Sequence, residues 1–460
     1  MKNSFFCALL SVSALLQAPA DLQAQSLPKR LDALATSYAK AGQLNGTVLV
    51  AKQGKIVFVK GYGLANREWN QPNAADTKFR IGSLTKQFTA VLVMQLVEKG
   101  QLKIDAPVTT YLPDYPKASG DKITLHHLLT HTSGIPNYTA LPSFRASSTL
   151  PTTPAATVQS FAALPLEFEP GSKYAYCNSG YFLLGAIIEK VTGKPYAQVL
   201  TDNILKPLGM SDTGYDLPGT VLPKRAAGYA KPESNMVINT PYIDMSGPYA
   251  AGAMYSTVLD LYKWDQALYT TQLLNDASKT LLFKPFKSDY AYGWTITKRA
   301  MGPDTVAVQR HGGAINGFRS HLLRAPKEHH LTVVLDNDAN PYTPKISTEL
   351  LQVVYGRPTE GPKPEPAAPK AAAVAATTLA GYAGKYQLSP TFFITVKAEG
   401  DKLSAQATGQ QPFTLLATTP DRFAVQGVTA DVEFVKNPAG AVEKLILHQG
   451  GNHSPGAKIE

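Results

Sequence analysis

The sequence predicts an α+β fold followed by a small all-β domain. Three features carry that expectation: a β-branched hairpin near the start, apolar helical periods behind it, and clusters of short strands on both sides of a Pro- and Ala-rich break. At 460 residues the chain is too long for one ordinary compact core, so two domains are expected. The boundaries drawn are 1–24 for a signal peptide, 25–356 for the α+β domain, 357–378 for the break and 379–460 for the small β domain.

In chain order, Lys2 precedes an apolar run from Phe5 to Leu16, and small residues end at Ala20 or Ala24. This is the pattern of a secretory signal, and the run is shorter than the roughly 20 residues that a spanning helix needs. The mature chain is therefore expected to be periplasmic or secreted, with no transmembrane segment.

The stretch from Gly46 to Gly61, GTVLVAKQGKIVFVKG, places two β-branched runs around Gln53 and Gly54, a hairpin signature. From Ser83, apolar residues at Leu84, Phe88, Val91, Leu92 and Leu96 repeat at helical spacing, and Gly100 supplies a stop. A second helix is expected from Tyr181 to Val191, ending before Gly193. Strands are expected from Tyr290, Thr305, Ser320 and His330, then a helix from Pro344, PKISTELLQVVYG. After the break, RPTEGPKPEPAAPKAA, the runs KYQL, FFITVKA, KLSAQA, FTLLA, RFAVQ, VEFVK and EKLILHQ suggest a small barrel or sandwich.

Composition excludes several classes. Hydrophobic residues at 44% and charged ones at 17% fit a globular chain rather than a disordered one. The net charge of +10 is scattered, its tightest clusters being Pro28 to Arg30 and Pro223 to Arg225, so no nucleic-acid-binding stripe emerges. Of the two cysteines Cys7 lies in the signal, which leaves Cys177 without an intrachain partner. His126 and His127 lack metal-ligand spacing, so no metal and no cofactor are expected.

A serine hydroxyl becomes a nucleophile only when a base removes its proton, and positions i and i+3 on a helix bring a lysine amine against it. SxxK occurs four times here, beginning at Ser26, Ser37, Ser83 and Ser119. Only Ser83 follows a turn, Phe79 to Gly82, and opens an apolar helix whose N-terminus offers free N–H groups. Serine is also a common helix cap, and Lys86 taken alone suits a solvated surface position. Tyr176-Cys177-Asn178 is the chain's YxN. In extended backbone Tyr176 and Asn178 point one way and Cys177 the other. His311-Gly312-Gly313 lets a substrate approach the backbone closely, or forms a glycine-rich turn. His131 and Ser133, in LLTHTSGIPNY, are too close in sequence to assign a triad and are taken as a turn at the cleft edge. No GxSxG elbow occurs.

In order and spacing, SxxK, YxN and HxG resemble those of the serine hydrolases that include class C β-lactamases, D-alanyl-D-alanine peptidases and related esterases. Supporting stretches are FRIGSLTKQFTA, LHHLLTHTSGIPNY, YAYCNSGYFLLGAIIEKVTG, AAGAMYSTVLDLYKW and RHGGAINGFRS, and the likeness covers roughly Leu31 to Tyr355. The resemblance implies a β-lactamase/transpeptidase-like fold. It also implies Ser83 as acylated nucleophile, Lys86 and Tyr176 as proton-handling partners, and backbone N–H groups of Ser83 and Ala314 as oxyanion hole. Asn178, His311 and Gly313 would contact substrate.

For Lys86 to act as a base its pKa must fall from about 10.4 toward neutrality. Burial and a neighbouring tyrosinate are the expected causes. His311 and Gly312 stand where such β-lactamases carry the Lys and Thr of KTG, which favours an ester or amide substrate, including D-amino-acid or cell-wall peptides, over a β-lactam. A β-lactamase and a slowly deacylating penicillin- or peptidoglycan-binding sensor are the alternatives. The tail resembles the lipocalin-like domain that follows such catalytic domains, where cell-wall adhesion is a further role.

Overall fold

The computed structural model describes residues 26–233, 236–301, 304–363, 374–389, 392–408, 412–426, 430–449 and 452–460. The expected signal peptide and residues 364–373 of the break lie outside them. The hairpin forms as strands Gly46–Lys52 and Lys55–Tyr62. Gln53 and Gly54 both take positive φ, 52° and 72°, the turn geometry that matches strand twist.

These strands close one end of a six-stranded antiparallel sheet. Next to the first of them comes His330–Asp336, then Phe318–Ala325, Asp304–Ile315 and Thr295–Met301. The strand Gly46–Lys52, second from that edge, is buried on both faces. Val48 and Val50 pack with Leu31, Tyr38, Ile346 and Leu350 of the two outer helices, Leu27–Lys40 and Thr343–Val354. Leu49 and Ala51 face the main core instead, as a strand period of two requires.

On that inner face lies the helix Thr85–Glu98, entered through a 3-10 turn at Gly82–Leu84. Phe88 stacks on Trp264 at 4.1 Å, and the indole Nε1 donates to buried Gln87 Oε1 at 3.0 Å. The second helix starts at Asn178, earlier than the apolar period suggests, and runs to Thr192 before Gly193 at φ 66°.

The expected strand from Tyr290 does not begin there: Tyr290 to Trp294 form a turn, and the strand starts at Thr295. Gly293, at φ 78°, is the physical reason, since a Cβ there would lie 2.9 Å from the Lys86 carbonyl oxygen. The glycines after His311 are likewise no turn, because the strand Asp304–Ile315 runs through them.

Beyond the break, eight antiparallel strands from Gly384 to Lys458 form a closed barrel. Its eighth strand, Asn452–Lys458, contains Pro455 and Gly456 and gave no strand signal. A short helix, Ala376–Tyr382, spans the expected boundary at 378/379 and sends Leu379 and Tyr382 into the barrel core.

Candidate active site

The 3-10 turn and the helix after it bring Lys86 Nζ to 3.1 Å from Ser83 Oγ. The amine is fully buried and also bonds Asn178 Oδ1 and the Ala251 carbonyl, each at 2.8 Å. The Asn178 amide orientation is fixed from the backbone outward. Asn178 N–H donates to Asn137 Oδ1 at 3.1 Å, the Thr139 hydroxyl donates to the same oxygen, and Asn178 Nδ2 donates to that hydroxyl. Asn178 Oδ1 therefore faces Lys86.

Burial pushes the Lys86 pKa down to about 7. A neutral amine has two hydrogens and one lone pair. Ala251 O and Asn178 Oδ1 can only accept, so they take both hydrogens, and the lone pair is left for the Ser83 hydroxyl. The expected tyrosinate contribution is overturned. Burial raises the Tyr176 pKa, with a hydrogen bond to Ser83 opposing it, so the phenol stays protonated. A tyrosinate would in any case favour charged lysine, not neutral.

Tyr176 exposes 38% of its surface to the cleft, although it sits deep enough among neighbouring atoms to be desolvated. Its ring centroid lies 4.9 Å from Lys86 Nζ. Cys177 points the other way into the core, where its thiol meets Ile135 O at 3.1 Å. The YxN segment thus sends Tyr176 and Asn178 to the serine and its cysteine away from it.

The serine turn touches the glycine-containing strand. Gly82 has φ 50°, and a Cβ there would lie 2.8 Å from Ala314 N. A Cβ on Gly313 would lie 2.0 Å from Ile81 O and 2.3 Å from Ser320 Oγ. Two missing side chains let the backbone of residues 81–83 close on Gly313 and Ala314, and Ser320 Oγ locks the contact by donating to Ile81 O at 2.8 Å. The approach sets the residue before Ser83 against Ala314. Gly312 is different, since a Cβ there would meet its nearest neighbours at 3.6 and 3.7 Å, ordinary contact.

His311 is only 7% exposed. Its Nδ1 faces the Gly312 carbonyl at 2.6 Å and must carry the proton, so Nε2 accepts from Tyr290 Oη at 2.9 Å. Burial, then nearby Lys86, pushes its pKa down to about 3. The ring is neutral and both its nitrogens are engaged within the fold, which leaves Tyr290 between His311 and other groups.

Sequence reasoning did not single out Asn137, Thr139, Ala251 or Tyr290. The first two lie in LLTHTSGIPNYT, and Ala251 lies in AAGAMYS, so the signal was the motifs rather than any catalytic residue type. His131, taken as a cleft-edge turn, is instead 1% exposed and lies against Tyr176, with ring centroids 4.2 Å apart. Among the described residues no cluster of three or more His, Cys, Asp or Glu could hold a metal ion, and no helix is long and apolar enough to cross a membrane.

A model of the Beta-lactamase family matches residues 31–357. A model described as a domain of unknown function (DUF3471) matches residues 368–457. Penicillin-binding protein 4* of Bacillus subtilis (strain 168) is 28% identical over 462 residues, 95% of this chain and 100% of that protein. Esterase EstB of Burkholderia gladioli is 38% identical over 208 residues, 42% of this chain and 53% of the esterase. The chain is also similar to the crystal structure of D-amino acid amidase from Ochrobactrum anthropi SV3, with a TM-score of 0.61 and 27% identity over 72% of this chain and 97% of the amidase.

Proposed function

The chain belongs to the Beta-lactamase family, and from that premise we propose that it is an exported serine hydrolase that cleaves an ester or amide through an acyl-enzyme on Ser83. The single observation that carries this reading is a fully buried lysine, its pKa near 7, with its amine 3.1 Å from the serine oxygen. Lys86 takes the Ser83 proton as Oγ attacks the carbonyl carbon. The backbone N–H groups of Ser83 and Ala314 hold the oxyanion, each such donor being worth about 3 to 4 kcal/mol. Tyr176 lies at the open side of the serine, where its phenol passes a proton to the leaving group. Lys86 then passes the serine proton to Tyr176, which restores the pair. Water enters by the same side, gives the pair a proton and attacks the acyl carbon, and that proton returns to Ser83 Oγ as the acid leaves.

The substrate class follows from charge. His311 is neutral, and Gly312 presents no side chain. Those two positions therefore supply no cation for a carboxylate beside the scissile bond, which favours esters and uncharged amides, D-amino-acid derivatives among them, over β-lactams. Relatives named as an esterase and an amidase are in keeping with that choice. The test sets a short acyl ester, a D-amino-acid amide, a D-Ala-D-Ala peptide and a chromogenic β-lactam side by side, with mature protein and Ser83→Ala. Turnover of ester or amide, lost by at least a thousandfold in Ser83→Ala, is expected. Equal turnover by the variant would sink the assignment, and preference for the β-lactam would overturn the substrate class.

A further inference from the structure

His131 is a polar residue in an expensive place. It is 1% exposed, its φ is 57°, a left-handed conformation that a histidine adopts only at a cost, and its Nε2 has no partner among the described residues. A residue needed only to fill the core would be apolar, and a residue needed only for the turn would be glycine or asparagine. What His131 does there is grip the residues on both sides of Tyr176. Its carbonyl oxygen accepts from Ala175 N–H at 2.9 Å, and its Nδ1 accepts from Cys177 N–H at 3.1 Å. Its ring lies against the Tyr176 ring between them, with Tyr290 and Tyr181 at centroid distances of 4.6 and 5.2 Å closing the other sides.

We propose that His131 is a positioning residue, a clamp that holds the Tyr176 hydroxyl on Ser83 by fixing the backbone at Ala175 and Cys177 and the face of the ring. The inference rests on the reading of Ser83 and Tyr176 given above. Because the Cys177 N–H can only donate, Nδ1 must stay unprotonated and Nε2 must carry the hydrogen. Burial, with Lys86 and His311 nearby, holds the imidazole neutral well below its ordinary range. The clamp therefore stays shut at neutral pH. The work is done by one acceptor atom at the δ position and by a backbone that tolerates left-handed φ. Asparagine offers both, since its Oδ1 occupies the Nδ1 position and it enters that conformation more readily than most residues.

The test compares His131→Gly, which removes the ring and relieves the strained φ, with His131→Asn, which restores the acceptor. Both are assayed for kcat and KM on the best ester or amide substrate, for Ser83 labelling by a fluorophosphonate probe, and for thermal midpoint. A displaced Tyr176 is expected to lower kcat and labelling rate by about a hundredfold in His131→Gly with KM within about threefold, at a thermal midpoint that shows a folded protein. His131→Asn is expected to return within about tenfold of wild type. A folded His131→Gly that turns over and labels at wild-type rates would overturn the clamp, as would a His131→Asn no faster than His131→Gly. If the wild-type chain neither labels at Ser83 nor turns over, the hydrolase reading falls and takes the clamp with it. Normal wild-type labelling with unaffected variants condemns the clamp alone.

Discussion

At the scale of the residue, one group in the cleft sets the pH response. His311 and His131 are held neutral by burial, at about 3 and well below the ordinary range, while the phenol of Tyr176 and the thiol of Cys177 are pushed upward. Lys86, lowered by burial to about 7, is the titration left near neutrality. Below that pH its third hydrogen occupies the position facing Ser83 and the base is lost. We expect kcat/KM to rise about tenfold per pH unit below about 7 and then level off, a limb that disappears in Lys86→Met. A flat profile between about pH 5.5 and 8.5 would contradict the lone-pair geometry. The same shift has a stability counterpart of definite sign. Between about 7 and the ordinary 10.5 the unfolded chain binds a proton that the folded chain does not, so Lys86 makes stability rise with pH across that window.

At the scale of the element, the helix Val258–Ala267 is held to the sheet by a buried ion pair, Arg324 Nε to Asp265 Oδ1 at 2.7 Å, with both side chains at most 2% exposed. Burial pushes the Asp265 carboxyl up and Arg324 pulls it back. Arg324 also bonds Gln309 Oε1 at 3.0 Å and lies over the Tyr269 ring. Arg324→Ala would strand a buried carboxylate and a glutamine together, so a loss of about 3 to 5 kcal/mol is expected in denaturant unfolding at pH 7. A loss below about 1 kcal/mol would mean that water reaches Asp265.

The elements differ in how plainly the sequence announces them. The first hairpin and the serine helix obey local rules, a two-residue turn and a 3.6 period, and both stand where those rules place them. The turn at Tyr290–Trp294 and the strand through Gly312 and Gly313 do not. Gly293 and Gly313 answer to backbone approaches from Lys86 and Ile81 far away in the chain, which a local reading cannot see. The site follows the same division. Ser83 and Lys86 are one turn apart and legible together, whereas Ala251 and Thr139 enter only because distant short helices fold onto the amine and its asparagine.

At the scale of the whole molecule, apolar packing separates along the chain. The main core and the outer-helix core draw their buried residues from Leu31 to Val354. The barrel core draws its own from Leu379 to Leu445, with Tyr382 stacked on Phe434, Phe423 edge-on to both, and Val374 at its margin. No buried residue of one core belongs to the other, and every named site residue lies at or before Ser320. A segment whose apolar side chains are all satisfied internally contributes little to the folding of its neighbour. A chain ended after Lys363 keeps Gln43 Nε2 bonded to the Lys363 carbonyl and Lys345 bonded to the Gly361 carbonyl, so the edge of the first domain stays closed. Such a truncation should fold with the thermal midpoint of the first of two calorimetric transitions of the full chain. It should retain Ser83-dependent kcat on a small ester within about threefold. A single shared transition, or a truncated protein that is folded but inactive, would show that the barrel completes the cleft. The domain would then belong to catalysis rather than to attachment or targeting.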